Sequence, residues 1–315
     1  MISSRKLALT LTVLAMWVLP FRCEPQDKPE QPGSVIRVSS NLVAVPVLVL
    51  DATGRPVLDL SLADFKLEKD GKSQKIVRLG EPGATPIEMA LLVDVSGSVR
   101  ERLLFEQQAA AAFLREVLRP ADAVTVFSIG LEPKLVQART SNVDAAAVAI
   151  MKLAPTREAT SFFQSLVEAT SYLARAGNPG ARRVLVVISD GEDNHSEKIR
   201  FADAQHALMR DDCMFYSINP GGTSIDLNVI ASRAQQQMAA LASEIGGAFV
   251  VGSHEQLPAV FRRIAAELRA QYMLGFYFTD EGRDGGFRQI AVQVPGRPEL
   301  RVRARQGYYA PQGTW

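Results

Sequence analysis

Cysteine, histidine and surplus charge are all scarce in this chain, and each scarcity removes a class of function. Two cysteines among 315 residues exclude a disulfide framework and a four-thiolate zinc site. Three histidines, His195, His206 and His254, are scattered without ligand spacing. With 35 Lys+Arg against 34 Asp+Glu, the formal charge of +1 lacks the basic field that releases counterions from nucleic acid. There is no G-x-G-x-x-G, no P-loop lysine and no G-x-S-x-G elbow, which argues against nucleotide binding and serine hydrolysis. What remains, 47% hydrophobic and 22% charged, is too apolar for a disordered chain and too mixed for a multi-span membrane protein.

Residues 1–23 read as a signal peptide or N-terminal anchor. Arg5 and Lys6 form a basic start, and the 15 residues Leu7 to Phe21 are apolar and nearly uncharged, shorter than the roughly 20 that span a bilayer. Export to the periplasm, the cell surface or the medium is the expectation, with no membrane insertion beyond this segment. Residues 24–34, charged and Pro-rich, form a linker. Cys213 lies in the apolar run Cys213–Ile218 and is expected to be a buried, inert thiol.

Three zones follow. Residues 35–85 carry strand signals: Val43, Val45, Val47 and Val49 alternate along one run, Asp51 to Gly54 marks a turn, and Phe65–Lys69, Asp70-Gly71 and Lys75–Leu79 read as a hairpin with a type I′ turn. Residues 86–270 alternate strand and helix. Short apolar runs at 89–93, 123–127, 184–188, 214–218 and 248–251 are those of a parallel sheet covered on both faces. Helices are expected over 101–118, 143–153, 162–176, 201–211, 238–245 and 255–270, the last opened by a capping box of Ser253 and Gln256. Residues 271–315 return to strands. Neither flank buries a sheet face alone, so the expected fold is a doubly wound, mostly parallel α/β domain inserted in a β-sandwich built from N- and C-terminal strands.

Ligands of an open α/β sheet bind outside the carboxyl ends of its strands. Two strands here end in carboxylates, Asp94 and Asp190. In Asp94-x-Ser96-x-Ser98 three short oxygen-bearing side chains recur at alternate positions, a pattern suited to a hard cation. Taken singly, each carboxylate also suits a helix cap.

On these residues the chain resembles a von Willebrand factor type A (VWA) domain with a metal-ion-dependent adhesion site. The D-x-S-x-S motif is intact, the family's threonine matches Thr160 in Glu158-Ala-Thr-Ser, and its distant aspartate matches Asp190 in Ile188-Ser-Asp-Gly-Glu-Asp. The flanks, Asn41-Leu-Val-Ala-Val-Pro-Val and Arg303-Ala-Arg-Gln-Gly-Tyr-Tyr-Ala310, resemble those of VWA-related exported proteins common in acidobacteria. The resemblance implies a metal set of Asp94, Ser96, Ser98, Thr160 and Asp190 holding Mg²⁺, with Mn²⁺ able to substitute. It also implies no catalytic residues, and a position open to the acidic side chain of a protein partner. One departure stands out: Glu158-Ala159 replaces the small residues usual before the threonine, and Glu158 either crowds the loop or adds an acceptor.

Other residues are expected to be bland. Glu192 and Asp193 read as solvated loop carboxylates and His195 as a surface histidine. At least one of Phe162 and Phe163 packs in the core. Arg301, Arg303 and Arg305 share a strand face, solvated or docking an acidic partner. The loop 221–237 either contributes to specificity or is a tolerated insertion. Two other classes compete with adhesion. One is a structural envelope protein whose metal only stabilises loops. The other is an Mg-dependent phosphatase-like hydrolase, which Ser96 disfavours by standing where a proton-transferring acid is needed.

Overall fold

The computed structural model describes residues 42–221, 229–278 and 284–310, and the side chains of Ser98 and His254 fall outside the described set. The expected export segment and linker, residues 1–34, also lie outside the described residues. The first flank supplies β1 (Leu42–Leu50), β2 (Lys66–Lys69), β3 (Lys72–Gln74) and β4 (Ile76–Gly80). Strand β1 is apolar on both sides because it serves two cores. Val45, Val47 and Val49 enter the sandwich interior, while Leu48 and Leu50 pack on Ala270 across the other face. The Asp70-Gly71 turn has φ of 50° and 75°, as a type I′ hairpin requires. The expected second strand is corrected, however: β2 pairs with β3. Residues 76–80 instead cross to the opposite sheet and pair with the strand that begins at Tyr272.

The central domain runs β5 (Ile87–Asp94), α1 (Leu103–Val117), β6 (Ala123–Ile129), β7 (Lys134–Thr140), α2 (Val143–Met151), α3 (Phe162–Ala176), β8 (Arg182–Ile188), α4 (Phe201–Arg210), β9 (Cys213–Asn219), α5 (Val229–Ile245), β10 (Ala248–Val251) and α6 (Leu257–Arg269). Its six-stranded sheet has the order β10-β9-β8-β5-β6-β7, parallel throughout except for β7. Alternate residues of β5 feed two cores. Met89, Leu91 and Val93 meet Phe113, Ile150 and Phe261 on one face, and Ala90 and Leu92 meet Leu166, Leu173 and Leu241 on the other. Helix α5 starts at Val229, so most of the expected 221–237 loop is helical, and residues 222–228 lie outside the described set. Helix α6 is preceded by a 3-10 turn over His254–Gln256, and Gln256 Oε1 accepts the Ser253 N–H at 3.0 Å there rather than at the α-helix itself.

The second flank adds β11 (Tyr272–Tyr277), β12 (Phe287–Gln293), β13 (Arg301–Ala304) and β14 (Gly307–Tyr309). Two four-stranded antiparallel sheets, β13-β1-β11-β4 and β14-β12-β2-β3, enclose one core of Val47, Phe65, Leu67, Phe276, Ile290 and Tyr308. Both flanks therefore build a single sandwich around the inserted domain. The expectation of a solvated arginine face is overturned. Arg301 is exposed, but Arg303 donates to Glu267 Oε2 at 2.6 Å, and Arg305 is buried against Asp212 and the Ala44 carbonyl. That face lies against the central domain instead of water. Cys213 is fully buried, and desolvation pushes its thiol up to about 12. No helix among the described residues is long and apolar enough to cross a membrane.

Candidate metal centre

Parallel neighbours end on the same side of a sheet, and β5 and β8 are neighbours with Val93 opposite Ile188. Asp94 and the Ser189-Asp190 pair therefore emerge together. Asp94 is wholly buried. Its Oδ1 accepts the Ser96 N–H at 2.9 Å and its Oδ2 accepts the Ser189 hydroxyl at 2.6 Å, and the Ser96 hydroxyl also bonds to the carboxylate. Burial raises the Asp94 pKa above the usual carboxylate value; the hydrogen bonds oppose the rise and the Asp190 charge adds to it. Gly191, at φ 79° and with Met238 filling the space a Cβ would need, lets the chain turn sharply after Asp190, whose Oδ1 accepts the Glu192 N–H at 3.1 Å. Ser96 is buried and leads into the 3-10 turn Gly97–Val99. Ser98 lies on that turn, with its side chain outside the described set.

Thr160 is buried on the loop before α3. Several hydrogen bonds fix that loop to its neighbours. Thr156 N–H donates to the Val95 carbonyl at 2.6 Å, tying it to the Asp94 loop. Asn194 Oδ1 accepts the Thr160 N–H at 2.6 Å, and the Thr160 carbonyl accepts from the N–H groups of Asn194 and His195, both at 3.1 Å. Asp193 is not a solvated carboxylate: its Oδ1 accepts from Phe162 N–H at 3.0 Å, at the first turn of α3, and from Ser196 N–H at 3.2 Å. His195 is half-buried instead of lying free on the surface, and both Phe162 and Phe163 belong to the core. Glu158 is exposed and does not crowd the loop.

Glu106 on α1 completes the electrostatics. It is fully buried, neither carboxylate oxygen has a hydrogen-bond partner, and Arg102 Nε stands 3.7 Å from Oε1. Burial pushes it up to about 7, with Arg102 opposing and the charges of Asp94 and Asp190 reinforcing. Glu192 is raised as well, by burial and then by Asp190 and Asp94. A readable signal existed for Glu106: it falls on the apolar stripe of α1 with Leu103, Ala110 and Phe113. Among the described residues no three His, Cys, Asp or Glu converge as ligands, so any cation here would depend on hydroxyl oxygens beside Asp94 and Asp190. This oxygen-only set, beside the buried carboxyl groups of Asp94 and Glu106, fits a hard divalent ion rather than a soft one.

A doubly wound α/β domain with strand-end carboxylates set among hydroxyls is the class that fold and site define. Residues 89–192 match the family model of the von Willebrand factor type A domain. Such domains typically mediate protein–protein interaction or adhesion. Similar solved structures include BatB, a conserved hypothetical protein from Bacteroides thetaiotaomicron, at 18% identity over 57% of this chain and 97% of that one, TM-score 0.46. An aerotolerance-related membrane protein from Bacteroides fragilis shows 17% identity over 58% and 98%, TM-score 0.44. The vWF domain of the type V pili tip protein Mfa5 from Porphyromonas gingivalis shows 12% identity over 57% and 94%, TM-score 0.47. No curated protein matches the chain in sequence.

Proposed function

We propose that the chain is an exported, non-enzymatic binding module that holds a protein partner through a divalent cation. Asp94, Ser96, Ser98, Thr160 and Asp190 would hold Mg²⁺, or Mn²⁺ in its place, and the partner would contribute an acidic side chain. The observation that carries this reading is the buried Asp94 carboxylate beside Asp190 and Glu106, which gathers acidic groups at one end of the sheet. Carboxylates gathered away from water repel one another and resist ionisation, and a divalent ion offsets that repulsion. When bound, the ion supplies Lewis acidity towards an incoming carboxylate. The protein's own part is positional: Ser189 and Ser96 orient Asp94, while Asp193 and Asn194 hold the Thr160 loop in place. Ser96 occupies the position where phosphoryl chemistry would need an acid, which supports binding over catalysis.

Calorimetric titration of Mg²⁺ and Mn²⁺, beside Asp94→Ala, tests the proposal. One saturable site lost in the variant is the expected result, followed by Mg²⁺-dependent capture of a partner. A folded protein that binds neither ion rejects it. Binding that raises stability without any metal-dependent partner replaces adhesion by the structural reading.

A further inference from the structure

At the other end of the central sheet lies a cavity of about 290 Å³. It opens between the amino ends of β8 and β9, the end of α4, and the outer face of β1, β4 and β11. Strand β8 rises about 3.3 Å per residue from Arg182 to Ile188, which sets the cavity roughly 20 Å from the carboxylates. Four arginines line it, Arg78, Arg182, Arg183 and Arg305, against a single acidic residue, Asp212.

Most of what these arginines meet is neutral. Arg182 donates to Gln271 Oε1, to the Leu268 carbonyl at 2.9 Å and to the Thr85 carbonyl at 3.5 Å. Arg183 Nη1 donates to the Asp211 carbonyl at 2.9 Å, and Arg305 Nη2 to the Ala44 carbonyl at 2.8 Å, with Asp212 as its one ionic contact among the described residues. The Nε atoms of Arg182, Arg183 and Arg305 are buried without hydrogen-bond partners. Desolvation brings both Arg182 and Arg305 down to about 10, the mark of cations held away from water with too little opposing charge. The rest of the wall is largely apolar, with Leu42, Met209 and Met273 prominent. Its volume is near the lower end for small-molecule sites, which combine an apolar lining with a few placed polar groups.

We propose that this cavity binds a small amphipathic anion, its carboxylate or phosphate head on Arg78, Arg183 and Arg305 and its apolar body on Leu42, Met209 and Met273. Guanidinium is the group best suited to either head, since its forked donors match both geometries. The wall is contributed by the sandwich and the central domain together, so the ligand bridges them.

The test is calorimetric titration of octanoate, octyl phosphate, inorganic phosphate, octanol and octylamine into the full chain and into Arg78→Glu and Arg183→Gln. Arg78 is exposed, so its substitution is expected to keep the native circular dichroism spectrum. Saturable one-site binding of octanoate or octyl phosphate, weakened about tenfold or more in Arg78→Glu and absent for octylamine, supports the proposal. The tighter of the two anions identifies the head. Failure of both anions to bind, equal binding of octanol or of inorganic phosphate, or full retention in both variants overturns it.

Discussion

Asp94 and Glu106 are both carboxyl groups withdrawn from water, yet their surroundings compensate them unequally. Asp94 receives hydrogen bonds from Ser96 and Ser189, whereas Glu106 has only a long contact with Arg102 at 3.7 Å. The consequence is a pH dependence with a definite sign. Glu106 moves from 4.5 to about 7 on folding. Below 4.5 both states hold the proton; between 4.5 and about 7 the unfolded chain loses it while the folded protein keeps it. Stability should therefore fall as pH rises through that window, by up to about 3 kcal/mol in chelator-treated protein. Glu106→Gln should abolish this part of the slope, and saturating Mg²⁺ should flatten it by favouring the ionised carboxylate. Urea unfolding at pH 5 and 7.5 measures both effects, and an equal slope in the variant would refute the assignment.

At the scale of elements, β7 shows how a charged pair fastens a strand that hydrophobicity does not. Glu88, near the start of β5, is almost wholly buried, and Arg139 of β7 grips it with two donors, Nε to Oε2 at 2.9 Å and Nη2 to Oε1 at 2.6 Å. Asn178 N–H adds a third bond at 3.0 Å. The partners are unequal: the Arg139 side chain is 39% exposed and that of Glu88 only 3%. Arg139→Ala would leave a buried carboxylate short of partners and should cost about 3 kcal/mol; Glu88→Gln, which leaves a neutral amide and a solvated arginine, should cost about 1 kcal/mol. Chemical denaturation of the two variants checks the order, and a costlier Glu88→Gln would contradict it. This pair also explains why β7 is invisible in the sequence. Strands β5, β6, β8, β9 and β10 are legible because helices on both faces demand short apolar runs, while Lys134–Thr140 is polar and mostly exposed. The site divides in the same way. Asp94, Ser96 and Asp190 are readable from their place at strand ends, since sheet direction alone gathers them. Asp193 and Asn194 act on a loop more than thirty residues away in sequence, and no local pattern announces that approach. The hairpin error has a related cause: alternation marks residues 75–79 as strand without saying which sheet receives it.

For the whole molecule the decisive fact is that the sandwich cannot be assembled from adjacent chain. Strand β4 ends at Gly80 and its partner β11 begins at Tyr272, so pairing them requires the intervening domain to bring the ends together and offset the closure entropy of a long loop. The junction is tied by several independent contacts. Arg182 donates to Gln271, which donates in turn to the Tyr216 hydroxyl at 3.1 Å. Arg303 reaches Glu267 and Tyr216, Gln306 N–H donates to the Glu244 carbonyl at 2.8 Å, and Leu48 and Leu50 pack on Ala270. None of these survives separation of sandwich and domain, and several bury charge that would be left unpaired. Residues 42–310 should accordingly unfold in one cooperative transition, with calorimetric and van't Hoff enthalpies in a ratio near one. Glu267→Ala removes a carboxylate shared by Arg263 and Arg303. It should lower the midpoint by several degrees while keeping a single transition, because the remaining ties still outlast either part alone. Scanning calorimetry distinguishes the outcomes: two resolved transitions in the unsubstituted protein would mean that the sandwich closes without the domain, and that the junction only holds together units already stable by themselves.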